Sequence, residues 1–168
     1  MQAMNSNPTS SSDPASARDA ETFSFPIDAT SVMLFARALG DGRAEYTEAT
    51  NPAGLVPPPT FYQASAHYEP DYPLDATRPG WQPKTTPRYP GPGKTLHGEQ
   101  RFTYHHPVRS GEELTVTIRT GDQWRKESSR GGALDFVEQI TEFRNGRGVL
   151  CVTAVNVGVI PENKPGRS

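Results

Sequence analysis

The chain has 168 residues, with 17 basic against 19 acidic side chains and a net charge of -2. That length suits one domain able to bury a core, and that balance excludes both a nucleic-acid footprint and a polybasic membrane face. No run approaches the roughly 18–20 apolar residues of a membrane helix and the N-terminus lacks the apolar centre of a secretory signal, so a cytoplasmic protein is expected.

Residues 1–21 are rich in Ser, Asn, Pro, Ala and Asp and nearly free of large apolar side chains, which predicts a disordered tail. Val32, Phe35, Ala36 and Leu39 then recur at helical spacing, Asp28 or Thr30 offers the N-cap, and Gly40 supplies the permissive C-terminal conformation. A short amphipathic helix ending at Gly40-Asp41 is expected. Pro57, Pro58 and Pro59 precede Thr60 to His67, and proline is tolerated in a first helical turn, so a second helix starts near Pro59. From Tyr68 to Lys94, prolines at 70, 73, 79, 83, 87, 90 and 92 rule out a central strand or a long helix. This is a wrapping loop whose Tyr72, Trp81 and Tyr89 offer aromatic faces to an apolar channel or to a packed surface. Gly91-Pro92-Gly93-Lys94 lacks the strand-loop-helix setting of a phosphate-binding loop and reads as a turn.

Strands are predicted over residues 99–106, 113–120, 133–144 and 149–160. Leu114, Val116 and Ile118 alternate with Thr115, Thr117 and Arg119, the period of a sheet with one buried face. Apolar residues fill both faces of the last strand, so it is expected to be covered on two sides. Asn145-Gly146-Arg147-Gly148 makes the tight connection before that strand, and Arg130-Gly131-Gly132 reads as a hairpin turn rather than an RNA-binding repeat. The single cysteine, Cys151, excludes an internal disulfide and, among Val149, Leu150 and Val152, reads as a small buried hydrophobe. An antiparallel sheet wrapped around one helix, an α+β fold over residues 22–161 with a tail at 162–168, is the simplest architecture that buries these faces.

Helix, Gly40-Asp41, polar loop, then Gly54-Leu55-Val56-Pro57-Pro58-Pro59-Thr60-Phe61 resembles the MaoC-like hydratases and dehydratases. The closer resemblance is to the N-terminal dehydratase half of fatty-acid-synthase-type enzymes. Leu96 through Glu112, with its Pro107-Val108-Arg109-Ser110-Gly111-Glu112 turn, and Trp124 through Gly132 are similar to that family's following strand and hairpin, so the likeness spans roughly residues 23–161. It implies a hot-dog fold that pairs with a second hot-dog.

The implied chemistry is hydration of an enoyl thioester, which needs a general acid and base over the double bond and hydrogen-bond donors at the thioester oxygen. Complete members carry Asp and His in a Gly-Asp-x-Asn-Pro-x-His pattern, and hold that oxygen at the start of the central helix. This chain reads Gly40-Asp41-Gly42-Arg43-Ala44-Glu45-Tyr46: Asp41 survives, but Arg43 replaces Asn, Ala44 replaces Pro and Tyr46 replaces His. A tyrosine with a pKa near 10 is a poor base at neutral pH. His67 lies near the end of the presumed central helix, His105 and His106 sit in a strand and face opposite ways, and His97 stands beside Gly98, where backbone comes close to a ligand. None has zinc spacing, and no metal is expected.

The resemblance therefore implies a non-catalytic or weakly catalytic subunit that binds the acyl chain of a coenzyme A or carrier-protein thioester while a partner supplies Asp and His. Candidate site residues are Asp41 for residual catalysis and Tyr46, Phe61, Tyr62, His67, Trp81 and His97 for substrate, with no cofactor besides the thioester. Two alternatives stay open: a self-sufficient homodimer using Asp41 and a relocated histidine for hydratase or thioesterase work, and a non-enzymatic acyl-CoA-binding or scaffolding module.

Overall fold

The computed structural model describes residues 21–47, 54–69, 96–127 and 132–162. Phe23 and Phe25 are buried while Thr22, Ser24 and Pro26 are exposed, and this alternation makes Glu21–Pro26 a strand, β1. No strand was expected there, and the folded chain begins one residue inside the stretch assigned to the tail. β1 is an edge strand, so the donor missing at Pro26 goes unneeded.

Helix α1 follows over Ala29–Ala38, capped by Asp28, whose Oδ1 accepts from the Ser31 N–H at 2.8 Å. Val32 and Ala36 point into the core. Leu39, predicted to share the buried stripe, is instead 58% exposed because the helix has already ended. One turn of helix, α2, spans Ala44–Thr47.

The segment Pro59–Tyr68, η1, is helical from the expected start but winds as a 3-10 helix. Ten residues is long for this tighter helix, in which positions three apart eclipse. That period lines up Tyr62, Ser65 and Tyr68, and Tyr62 and Ser65 are buried. Aromatic packing holds the conformation: Phe61 lies 5.7 Å from Phe25 and 5.5 Å from Phe35, Tyr62 lies 5.4 Å from Phe143, and Tyr68 lies 5.2 Å from Phe25.

Among the described residues four longer strands join it in the sheet: β2 Leu96–Tyr104, β3 Glu113–Glu127, β4 Ala133–Arg144 and β5 Leu150–Pro161. All pairings are antiparallel and the order is β1-β3-β4-β5-β2. The sheet with η1 and α1 against its inner face is the α+β hot-dog arrangement. Tyr104 Oη donates to the Pro59 carbonyl at 2.8 Å and Gln63 Nε2 donates to Gln100 Oε1 at 2.7 Å, so η1 runs along β2.

Two strand ends differ from expectation. β3 does not stop at Thr120 but continues through Trp124 to Glu127 after a register shift between Thr120 and Gln123, where Gly121 lies close against the side chains of Ile140 and Glu138. β2 starts earlier and stops earlier, since a shift at Gly98 lets Leu96 and His97 pair with Val159 and Gly158. At its far end the N–H groups of His105 and His106 both donate to the Cys151 carbonyl, at 2.7 and 3.1 Å. That doubling breaks the ladder, so the two histidines are not strand neighbours on opposite faces; both are exposed. Cys151 is fully buried, as expected, and burial pushes its thiol pKa up.

Candidate functional site

Asp41 owes its position to the end of α1. Gly40 adopts a positive φ of 75°, which lets its own N–H reach the Arg37 carbonyl at 3.0 Å and the Asp41 N–H reach the Ala36 carbonyl at 2.9 Å. Asp41 thus projects at a defined point just beyond the helix.

There its carboxylate meets Arg43. Arg43 Nε donates to Oδ1 at 3.0 Å and to Oδ2 at 3.1 Å, and Nη2 donates to Oδ2 at 2.8 Å. Planar guanidinium matches planar carboxylate, the strong form of such a pair. The same Nη2 donates to Tyr46 Oη at 3.1 Å, Nη1 reaches Glu45 at 3.1 Å, and the guanidinium lies 4.8 Å from the Tyr46 ring centre. Tyr46, only 1% exposed, gives its proton to the Val56 carbonyl at 2.6 Å. The cluster therefore staples α2 to the segment that leads into η1.

The electrostatics follow. Hydrogen bonding from Arg43 holds the Asp41 carboxyl below its ordinary value of 3.8, and burial raises the Tyr46 phenol above its usual 10. Since the folded-state pKa of Asp41 is depressed, its stabilising contribution is present above the unfolded value and is lost as pH falls through the folded one. Arg43→Gln should return the Asp41 titration upward toward 3.8, read by carbon-detected NMR of the side-chain carboxyl, and should flatten the acid limb of stability. An unmoved Asp41 titration would show that the ion pair does not form in solution. Because the pair is exposed, the effect on global stability should be small.

A turn secures the neighbouring segment. Ser110 Oγ accepts from the Leu55 N–H at 2.8 Å, the Ser110 N–H donates to the Leu55 carbonyl at 2.8 Å, and Arg109 Nη1 donates to the Gly54 carbonyl at 2.8 Å. Gly111, at φ 94°, donates its N–H to the Ile27 carbonyl at 2.9 Å. The Pro-Val-x-x-Gly-Glu turn thus ties the start of η1 to the end of β1.

Of the sequence-predicted residues, Asp41 and Tyr46 are brought together, bridged by Arg43. Phe61 and Tyr62 are 2% and 4% exposed and pack in the core. His67 is exposed on η1 and His97 is exposed on β2, opposite Gly158. Trp81 lies outside the described residues. Sequence reasoning missed the grip of Arg43 on Asp41, although both residues stand in the motif. It also missed a row of side-chain amides on the inner sheet face, Gln100, Asn156 and Gln139, whose one signal was Asn156 inside the apolar run of β5. Among the described residues no cluster of three His, Cys, Asp or Glu is placed to hold a metal ion, and no helix is long and apolar enough to cross a membrane.

Comparison with known proteins agrees with this frame. A relative from Parafrankia sp., a UPF0336 protein, is 36% identical over 97 residues, covering 55% of this chain. The alignment spans 58% of that relative's length. Among solved structures, the ChsH1-ChsH2 complex from Mycobacterium tuberculosis superposes with a TM-score of 0.59 at 19% identity, covering 88% of this chain and 86% of that one. The HadBC (3R)-hydroxyacyl-ACP dehydratase complex from the same organism gives a TM-score of 0.55 at 17% identity, covering 83% of this chain and 95% of that one. At such identities these two likenesses establish the fold. The family model described as "FAS1-like, dehydratase domain region" matches residues 15–154, so this chain, altered motif included, belongs to the FAS1-like dehydratase-domain family.

Proposed function

We propose that the chain is the acyl-chain-binding, non-catalytic or weakly catalytic subunit of a (3R)-hydroxyacyl-thioester dehydratase or 2-enoyl-CoA hydratase, completed by a catalytic MaoC-like hot-dog partner in the cytoplasm. The observation that carries this reading is the Arg43 guanidinium on both oxygens of Asp41. A general base must be free to accept a proton at working pH, and a carboxylate paired in this way with a depressed pKa is a poor one. Tyr46 does not replace the histidine, since its phenol is raised in pKa and its proton is committed to the Val56 carbonyl.

Pairing is supported by β2, an edge strand whose Leu96 and Tyr104 are 54% and 50% exposed. An exposed edge is a template for a second sheet. Both solved structures described above are two-component complexes, one of them a dehydratase of (3R)-hydroxyacyl-ACP, which supports the same substrate class here. Adding or removing water leaves the overall oxidation state unchanged, so the reaction asks for no redox cofactor.

The test is an assay on crotonyl-CoA and longer enoyl-CoAs. The chain alone should show at most weak turnover, and Asp41→Asn should leave the activity of the co-purified pair within about twofold. Brisk turnover by the chain alone, abolished by Asp41→Asn, would replace this reading with the self-sufficient homodimer.

A further inference from the structure

Residues directly opposite across an antiparallel pair share a face, so the register lays out the inner face of the sheet row by row. One row is Tyr104, Val152, Phe143 and Val116, and the next is Phe102, Ala154, Thr141 and Ile118. The row after that changes character: Gln100 of β2, Asn156 of β5 and Gln139 of β4 stand side by side, each partly buried. Three amides in register have no place in an ordinary apolar floor.

Their hydrogen bonding is unequal. Gln100 Oε1 accepts from Gln63 of η1 at 2.7 Å. Asn156 Oδ1 is shielded from solvent and accepts from no donor among the described residues. A shielded acceptor without a donor is destabilising, and a donor brought from outside the chain is one physical reason for a native structure to keep it. Beside it, the adjoining row carries His97, Gly158 and Val137, and Gly158 brings no side chain to this face.

With the acyl-binding role proposed above as premise, we infer that this row reads a hydroxyl on the acyl part of the substrate, remote from the thioester. The hydroxyl donates to Asn156 Oδ1, and its oxygen accepts from a neighbouring amide of Gln139 or Gln100. The substrate class is thus an oxygenated acyl thioester rather than a plain alkyl one. A hydrocarbon chain on this floor would leave the amides facing nothing they can bond, which a selective site exploits.

The test is calorimetric titration of the protein as purified, partner included, with a length series of ω-hydroxyacyl-CoAs beside their unsubstituted parents. At one chain length the hydroxyl should tighten the dissociation constant by about tenfold, the size of one good hydrogen bond. Asn156→Leu and, independently, Gln139→Leu should bring the ratio of the two constants back to unity. Equal affinity for hydroxylated and parent thioesters at every length overturns the inference while the acyl-binding role stands. Binding of neither series overturns both. The comparison in the unaltered protein decides even if a variant fails to fold.

Discussion

Replacing Phe25 with Ala should cost about 3–5 kcal/mol of stability, the range for deleting a buried aromatic ring. The ring is 1% exposed and touches three others, with centroids 5.7 Å from Phe61, 5.2 Å from Tyr68 and 6.3 Å from Phe143. It therefore joins an edge strand, the 3-10 helix and a central strand at one point. The cavity cannot close easily, because β1 is held in register by β3 from Glu21 to Pro26. Against a total of about 5–15 kcal/mol, such a loss moves a large part of the population toward the unfolded state. Urea denaturation would show a lower midpoint at unchanged slope. Phe25→Leu, which keeps most of the volume, should recover the greater part. A loss below about 1 kcal/mol for the alanine variant would mean that the core is not organised around β1.

Gly98→Val should lift the start of β2 away from β5, costing about 1–3 kcal/mol. A Cβ at Gly98 would sit 2.7 Å from Val159 Cγ2 and 3.2 Å from the Val157 carbonyl oxygen. Val159 is β-branched and stiff, and a carbonyl in a ladder cannot swing aside. Gly121 is the useful contrast. A Cβ there would meet Ile140 Cδ1 at 2.7 Å and Glu138 Oε2 at 2.9 Å, side-chain ends that can rotate, and Glu138 Cβ at 3.0 Å, with no backbone atom among the three, so Gly121→Val should cost less. Hydrogen exchange separates the two: Gly98→Val should strip protection from the Leu96 and His97 pairing while leaving β3 and β4 protected. Retained protection at that end would sink the prediction. Since β2 is the edge strand proposed for pairing, the same substitution should also weaken association with the proposed partner.

Much of the sheet was legible because period-two patterns survive in Leu114-x-Val116-x-Ile118 and in the apolar run of β5. The strand that escaped, β1, carries an equally regular pattern in Phe23, Phe25 and Ile27, but it adjoins the polar N-terminal stretch and ends in a proline. The start of η1 was readable from its prolines. Its winding was not, because buried positions at Phe61, Tyr62 and Ser65 fit a 3-10 or an α-helical period about equally, and contacts with Phe25 and Phe143 decide between them. The ends of β2 depended on backbone events, the Gly98 shift and the shared Cys151 acceptor, that leave no side-chain signature.

The site divides in the same way. Arg43 stands two residues from Asp41 in the sequence, yet whether its guanidinium turns onto that carboxylate or into solvent is a matter of side-chain geometry. The amide row was hidden more deeply, for Gln100, Gln139 and Asn156 meet only once three strands have taken their register. Asp41 and Tyr46 could be named as a pair because the resemblance to the MaoC-like motif aligned them, whereas Phe61 and Tyr62 could be named only as aromatics with two possible uses.

β1 also imposes an order on the birth of the molecule. Thr22 lies 95 positions before Thr117, the residue it faces in the sheet. At roughly 5–20 residues per second of synthesis, a nascent β1 waits about 5–20 s for the strand that will receive it. Through that interval the backbone of β1 has no neighbouring strand, although η1 can already cover Phe25, and its pairing with β3 comes only after η1 and β2 have been made.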